Sequence, residues 1–170
     1  MHIRNIEELN KIVKAISLNR MSKPNGCIER KEVLKRIVDY TKSVSKDDES
    51  RAFGLFLKKL INLKENVKLM AFGLGTVCHL GPGNVPINAL YSWAVSYWCG
   101  NTNFTRISDQ SSQTMKRLVD AICKLTHSNG DNEIFVSKMS GEIFLRTVSY
   151  YCDGRILWGS DAVLGKIKEE

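Results

Sequence analysis

No two of the five cysteines lie two or three residues apart. The chain therefore lacks the ligand spacing of a structural zinc site, and an odd, widely scattered set does not make a disulfide framework. Cys78, Cys99 and Cys152 fall inside apolar patterns and read as small core residues. Long apolar runs are missing as well: nothing approaches the roughly 20 residues of a membrane-spanning helix. Met1 to Asn10 has no apolar core of the kind a signal peptide carries. A cytoplasmic chain with no membrane span and no metal is expected. There is no internal repeat and no low-complexity tract.

What is present is enough for one core. The 170 residues are 43% hydrophobic, which suits a single domain. A formal net charge of +7 suits an anionic partner, whether nucleic acid, membrane or phosphorylated cofactor, without choosing among them. Lys11, Lys14, Arg20, Lys23, Arg30, Lys31, Lys35 and Arg36, among the first 40 positions, are interleaved with Glu and read mostly as solvated helical faces. Trp93, Tyr97 and Trp98 are spaced as a helix core stripe, apart from those basic residues, so no nucleic-acid partner is expected.

Ile6, Leu9, Ile12, Val13 and Ile16 recur at three- and four-residue spacing and predict an amphipathic helix over 5–18. Ser22 to Gly26, with Pro24, breaks it. Val33, Leu34, Ile37 and Val38 predict a second helix over 29–41, ended by the polar run Ser43 to Ser50. Phe53, Phe56, Leu57, Leu60 and Ile61 mark a third, and Leu63 to Phe72 reads either as a further helical turn or as a connector.

From Gly73 the rhythm changes to strand and helix in alternation. Strands are predicted at Leu74–His79, Thr102–Ile107, Glu133–Lys138 and Arg155–Trp158, with helices at 86–99, 110–126 and 141–152 and a last helix from Asp161 toward Lys168. Strands separated by helices of this length imply crossover connections and a parallel sheet. The expected fold is α/β: a Rossmann-like parallel sheet with helices on both faces, preceded by N-terminal helices. A helical segment, 1–72, and a nucleotide-binding segment, 73–170, are expected to form one compact domain.

Two junctions carry chemistry. In Gly81-Pro82-Gly83-Asn84-Val85-Pro86, small residues let backbone approach a ligand, Asn84 brings an amide donor, and Pro86 suits a helix start. The same composition also makes a plain turn. In Trp158-Gly159-Ser160-Asp161, Ser160 either caps the following helix or joins the exposed amides in holding a pyrophosphate. In open α/β sheets, ligands bind at the carboxyl ends of such strands.

These junctions, in this order around Gly100-Asn101-Thr102-Asn103-Phe104-Thr105-Arg106, resemble the cofactor-binding half of the aldehyde dehydrogenase superfamily. Within it, His79-Leu80-Gly81-Pro82-Gly83-Asn84-Val85-Pro86, the Gly-Asn-x-Asn-x-x-Arg strand and the Trp158-Gly159-Ser160-Asp161 turn are most similar to the LuxC-type fatty-acyl and acyl-CoA reductases of bacterial luminescence. The likeness covers roughly residues 73 to 168. Where those reductases have a second Gly in the last turn, this chain has Ser160, as in the general dehydrogenase pattern.

The resemblance implies an oxidoreductase that converts a fatty acyl thioester to an aldehyde by hydride transfer. Asn84 matches the amide that donates to a developing oxyanion. Pro82, Arg106, Gly159 and Ser160 match cofactor-binding positions. Arg106 stands where ordinary aldehyde dehydrogenases carry Lys. A guanidinium there suits a 2′-phosphate, and hence NADPH over NADH, although a strand-end Arg is also commonly just solvated. His79 matches the family's His, with a structural hydrogen bond as its expected role.

In the family the acyl-accepting Cys lies in a second domain, and none of the five cysteines here occupies its place. The chain continues only ten residues beyond Ser160. The expectation is therefore a truncated, cofactor-binding half, catalytically silent until a second domain or chain supplies the thiol, in a homo- or hetero-oligomer. A non-catalytic dinucleotide-binding or oligomerisation module, and a structural remnant that has lost its ligand, are the alternatives.

Overall fold

In the computed structural model, which describes residues 2–3, 5–18, 27–44, 47–66, 73–159 and Gly165, the chain forms a five-stranded sheet in which every pairing is parallel. The strands are β1 (His2–Ile3), β2 (Thr76–Leu80), β3 (Thr102–Arg106), β4 (Ile134–Val136) and β5 (Gly154–Leu157), in the spatial order β1-β4-β3-β2-β5. The helices are α1 (Ile6–Leu18), α2 (Cys27–Val44), α3 (Asp48–Asn66), α4 (Ile87–Trp98), α5 (Gln113–Ser128) and α6 (Gly141–Val148), the last followed by a short 3₁₀ turn, Ser149–Tyr151. This is a Rossmann-like α/β fold.

Side-chain alternation along the strands sorts the helices onto two faces. Cys78, Leu80, Phe104, Ile134 and Val136 point to a cluster built with Leu9 and Val13 of α1 and Phe144, Leu145 and Val148 of α6. On the other face lie α4 and α5, and α2 and α3 pack over them through Val33, Leu34, Ile37, Phe53 and Leu57, in one cluster with Trp93, Tyr97 and Phe135. The stripe of Trp93, Tyr97 and Trp98 is buried as its spacing predicts. Ser112 and Ser140 cap α5 and α6, accepting hydrogen bonds from the Met115 and Ile143 amides.

Four of the five strands fall where the sequence predicts them, with ends shifted by one or two residues. The fifth, β1, does not appear in the sequence reading. Two residues carry no periodicity, and the strand exists because β4 offers an edge and Ile3 a place in the core, where it is fully buried. The segment at Leu63 resolves as helix as far as Asn66. The break at Ser22 to Gly26, the start of the last helix at Asp161 and Ser160 itself lie outside the described residues.

Along the chain, β2, β3 and β4 step outward in one direction, and β5 then returns to the far side of β2. The order therefore reverses between β2 and β5. In open α/β sheets the crevice that takes a ligand lies at such a reversal, outside the carboxyl ends of the strands.

Candidate functional site

Leu80, Arg106 and Leu157 form one row across the sheet, with Val136 completing it on β4. Each strand ends there, so the turns that follow emerge side by side. The amide of Trp158 donates to the Leu80 carbonyl at 3.0 Å, extending the β2–β5 pairing by one bond and holding the two turns together. Sequence positions separated by more than seventy residues thus meet at the crevice.

The loop from Gly81 to Pro86 leads straight into α4. Pro86 takes the N-cap position and offers no side-chain bond to the exposed amides. Asn84 is exposed, and its side chain is bonded to no described residue; Pro82 is half-buried. The two glycines differ. A side chain at Gly81 would meet the Ala89 methyl at 2.6 Å, so Gly81 is there to let α4 approach β2. One at Gly83 would meet nothing within 4 Å, so that stretch of backbone faces open space.

Arg106 is half-buried at the end of β3. Its Nε donates to the Met139 carbonyl at 2.9 Å, fixing the plane of the guanidinium against the turn that starts α6. Among the described residues nothing takes its two terminal nitrogens, which leaves a fork suited to phosphate oxygens. One residue further on, a cleft of about 280 Å³ opens between this edge and the start of α5, lined among others by Ser108, Asp109, Gln113, Lys116 and Lys138. Gly159 is exposed on the β5 turn beside Trp158, whose side chain is 43% exposed.

Beneath the loop, the α4 face of the sheet holds a buried polar network. His79 bonds through Nδ1 to Ser92 Oγ at 2.6 Å and through Nε2 to Asn103 Oδ1 at 2.9 Å. Asn103 Nδ2 donates to Glu133 Oε2 and to the Asn101 carbonyl, so Oδ1 faces His79 as an acceptor. That makes Nε2 the protonated nitrogen and Ser92 the donor to Nδ1. Burial lowers the His79 pKa to about 4, against the smaller opposing effect of Asn103. The imidazole is therefore neutral, with the structural role expected of it.

Trp93 Nε1 also donates to Glu133 Oε2, at 2.7 Å. Burial raises the Glu133 pKa to about 7; Arg30 and these two hydrogen bonds only moderate the shift.

The network continues through a residue that sequence reasoning misassigned. Arg30, expected on a solvated face, is 1% exposed. It pairs with Asp131 at 3.3 Å, donates to the Tyr97 and Asn101 carbonyls at 2.9 and 2.7 Å, and lies 4.6 Å from the centre of the Tyr97 ring. The Tyr97 hydroxyl donates to Asp131 in turn. The signal was available: Arg30 precedes Val33, Leu34 and Ile37 at three, four and seven residues, on the buried stripe of α2.

Asn101 was likewise read only as part of a motif. It accepts from the Leu74 and Gly75 amides and donates to Ser96, fastening the entry to β2. The motif's asparagines are therefore struts under the site.

None of the four described cysteines reaches the crevice. Cys78 is buried within β2, Cys99 caps the far end of α4, Cys123 lies along α5, and Cys152 precedes β5 at the opposite edge of the sheet. Burial raises the Cys123 pKa. Among the described residues no group of three or more His, Cys, Asp or Glu could hold a metal ion, and no helix is long and apolar enough to cross a membrane.

The profile of the acyl-CoA reductase (LuxC) family matches residues 51–170, well over half of the chain. A comparison with curated proteins gives no match. Among solved structures, the chain is similar to glyceraldehyde-3-phosphate dehydrogenase GapN from Methanocaldococcus jannaschii, determined in complex with NADP, with a TM-score of 0.68 and 14% identity. That alignment covers 96% of this chain and 43% of GapN. At that identity the likeness carries the fold alone, and the chain spans less than half the length of that enzyme.

Proposed function

This chain belongs to the acyl-CoA reductase (LuxC) family, and we propose that its segment 73–170, with the helical segment 1–72 packed on it, is the nucleotide-binding part of such a reductase and takes NADPH. When bound, NADPH supplies the hydride that reduces a fatty acyl thioester to an aldehyde. The observation that carries the reading is the row Leu80, Arg106 and Leu157, which gathers the family's three motifs at one crevice.

The residues there fit the cofactor. Open space at Gly83 leaves backbone free to approach a pyrophosphate, as does the exposed Gly159, with Ser160 beside it in sequence. Pro82 shapes the loop against the cofactor. Arg106, its Nε held by Met139, turns a planar pair of donors toward a 2′-phosphate, which NADPH has and NADH lacks. Asn84, exposed and bonded to no described residue, donates its amide to the oxygen that gains charge as the thioester carbonyl is attacked.

The acyl-carrying thiol comes from a second domain or chain, because no described cysteine approaches the crevice. The working form is then a homo- or hetero-oligomer or a multidomain assembly. Its setting is the cytoplasm, where reduced nucleotides and free thiols coexist.

The test is to incubate the purified chain with a fatty acyl-CoA and NADPH, while following nucleotide binding by thermal shift. Stabilisation by NADPH with no aldehyde formed is expected. Aldehyde formation by the chain alone would overturn the division of labour.

A further inference from the structure

The last row of the sheet separates two sides of the crevice. Leu80, Val136 and Leu157 turn to the apolar cluster beneath α6. Arg106 shares their row, and its Nε is bonded to the Met139 carbonyl just before α6. The pairing runs one bond further, through the Trp158 amide and the Leu80 carbonyl. Alternation therefore turns Trp158 to the opposite face, with Ile156 and with His79, which bonds Ser92 of α4.

On that face Trp158 is open. Continued by one residue, the register sets it opposite Gly81, which has no side chain to cover it and begins the loop that carries Asn84. Trp158 is 43% exposed and Ile156 38%, whereas Trp93 and Trp98 are buried. The Trp158 indole makes no hydrogen bond or ring contact with any described residue. A large aromatic face is thus left bare at the edge of the crevice.

Resting on the NADPH reading above, we propose that Trp158 is the platform on which the nicotinamide ring of the cofactor stacks.

The two faces give the direction. A 2′-phosphate on Arg106 places the adenosine end of the cofactor on the α6 side, while Asn84 stands on the loop into α4. A pyrophosphate at Gly83 and Gly159 lies between them, so the nicotinamide end comes out on the α4 side, where Trp158 is the bare aromatic. An indole face suits a flat heteroaromatic ring in offset stacking. The oxidised ring is cationic, and a ligand cation is held best over Trp. The platform therefore favours NADP+ over NADPH, and it covers one face of the ring while leaving the other for the thioester beside Asn84.

The test titrates the full chain with NADP+, NADPH and 2′-phosphoadenosine diphosphoribose, which keeps the 2′-phosphate and pyrophosphate but has no nicotinamide. NADP+ is expected to quench tryptophan fluorescence and to give a charge-transfer absorption band that the ring-less nucleotide does not give. Trp158→Leu should abolish the band and weaken NADP+ by about three- to tenfold, NADPH by less, and the ring-less nucleotide not at all. Trp158→Phe should restore most of the affinity. Should Trp158→Leu fold poorly, the wild-type band and the Phe variant decide. Unchanged NADP+ affinity in Trp158→Leu, with the ring-less nucleotide still bound, would overturn the stacking and leave the cofactor reading standing. Equal weakening of all three nucleotides would make Trp158 a structural residue and overturn it too. Failure of the wild-type chain to bind any of them would overturn both.

Discussion

The Trp158 amide and the Leu80 carbonyl are joined at 3.0 Å, immediately after the last paired positions of β2 and β5, Leu80 and Leu157. The bond fixes the start of the Trp158–Gly159 turn relative to the Gly81 loop. The first turn leads from β2 into α4, and the second begins where β5 ends. In open α/β sheets ligands bind at such a reversal of strand order.

The two glycines of the first turn should separate folding from binding. Gly81→Ala places a methyl 2.6 Å from that of Ala89 and should destabilise the fold by about 1–3 kcal/mol through overpacking. Gly83→Ala meets nothing within 4 Å and should leave the unfolding midpoint unchanged while weakening nucleotide binding. Urea unfolding beside a nucleotide titration checks both, and equal stability of the two variants would contradict the assignment.

Arg30 should be among the most sensitive positions of the N-terminal helices. Arg30→Met strands Asp131 in the interior and should cost about 3–5 kcal/mol, the usual penalty for removing one partner of a buried ion pair. Lys35→Met removes an exposed pair with Glu32 on the same helix and should cost less than about 0.5 kcal/mol. Chemical denaturation of the two variants decides the matter.

His79 and Glu133 should pull the pH dependence of stability in opposite directions. The His79 pKa falls from 6.5 to about 4 on folding, so its contribution is present above 6.5 and lost as pH drops toward 4. The Glu133 pKa rises from 4.5 to about 7, so its contribution is present below 4.5 and lost as pH climbs toward 7. Each shift corresponds to about 3 kcal/mol, and the two nearly cancel between pH 4.5 and 6.5.

The wild-type chain should therefore be almost flat in that window. Glu133→Gln should expose a stability that rises with pH, and His79→Gln one that falls. Unfolding free energies at pH 4.5, 5.5 and 6.5 would show it; parallel curves for both variants would contradict the reading.

How much of this could be read from the sequence follows from range. Val33, Leu34, Ile37 and Val38 announce α2 because helical periodicity is local, and the Gly, Pro and Asn punctuation announces the loop before α4 for the same reason. β1 was illegible because its two residues are a strand only by virtue of β4. Arg30 was misread because a charge usually marks a solvated face, and its partners Asp131 and Tyr97 lie on elements far away in sequence. The motifs themselves were visible; that Asn101 and Asn103 brace the site from below was not.

Calorimetric titration of the purified chain with NADPH and with NADH, repeated on Arg106→Ala, tests the central claim most directly. The account predicts that NADPH binds more tightly than NADH, and that the substitution weakens NADPH by roughly tenfold or more, the loss of one charge-assisted phosphate contact, while leaving NADH nearly unchanged. A chain that folds stably and binds neither nucleotide would contradict it and mark the crevice as a remnant.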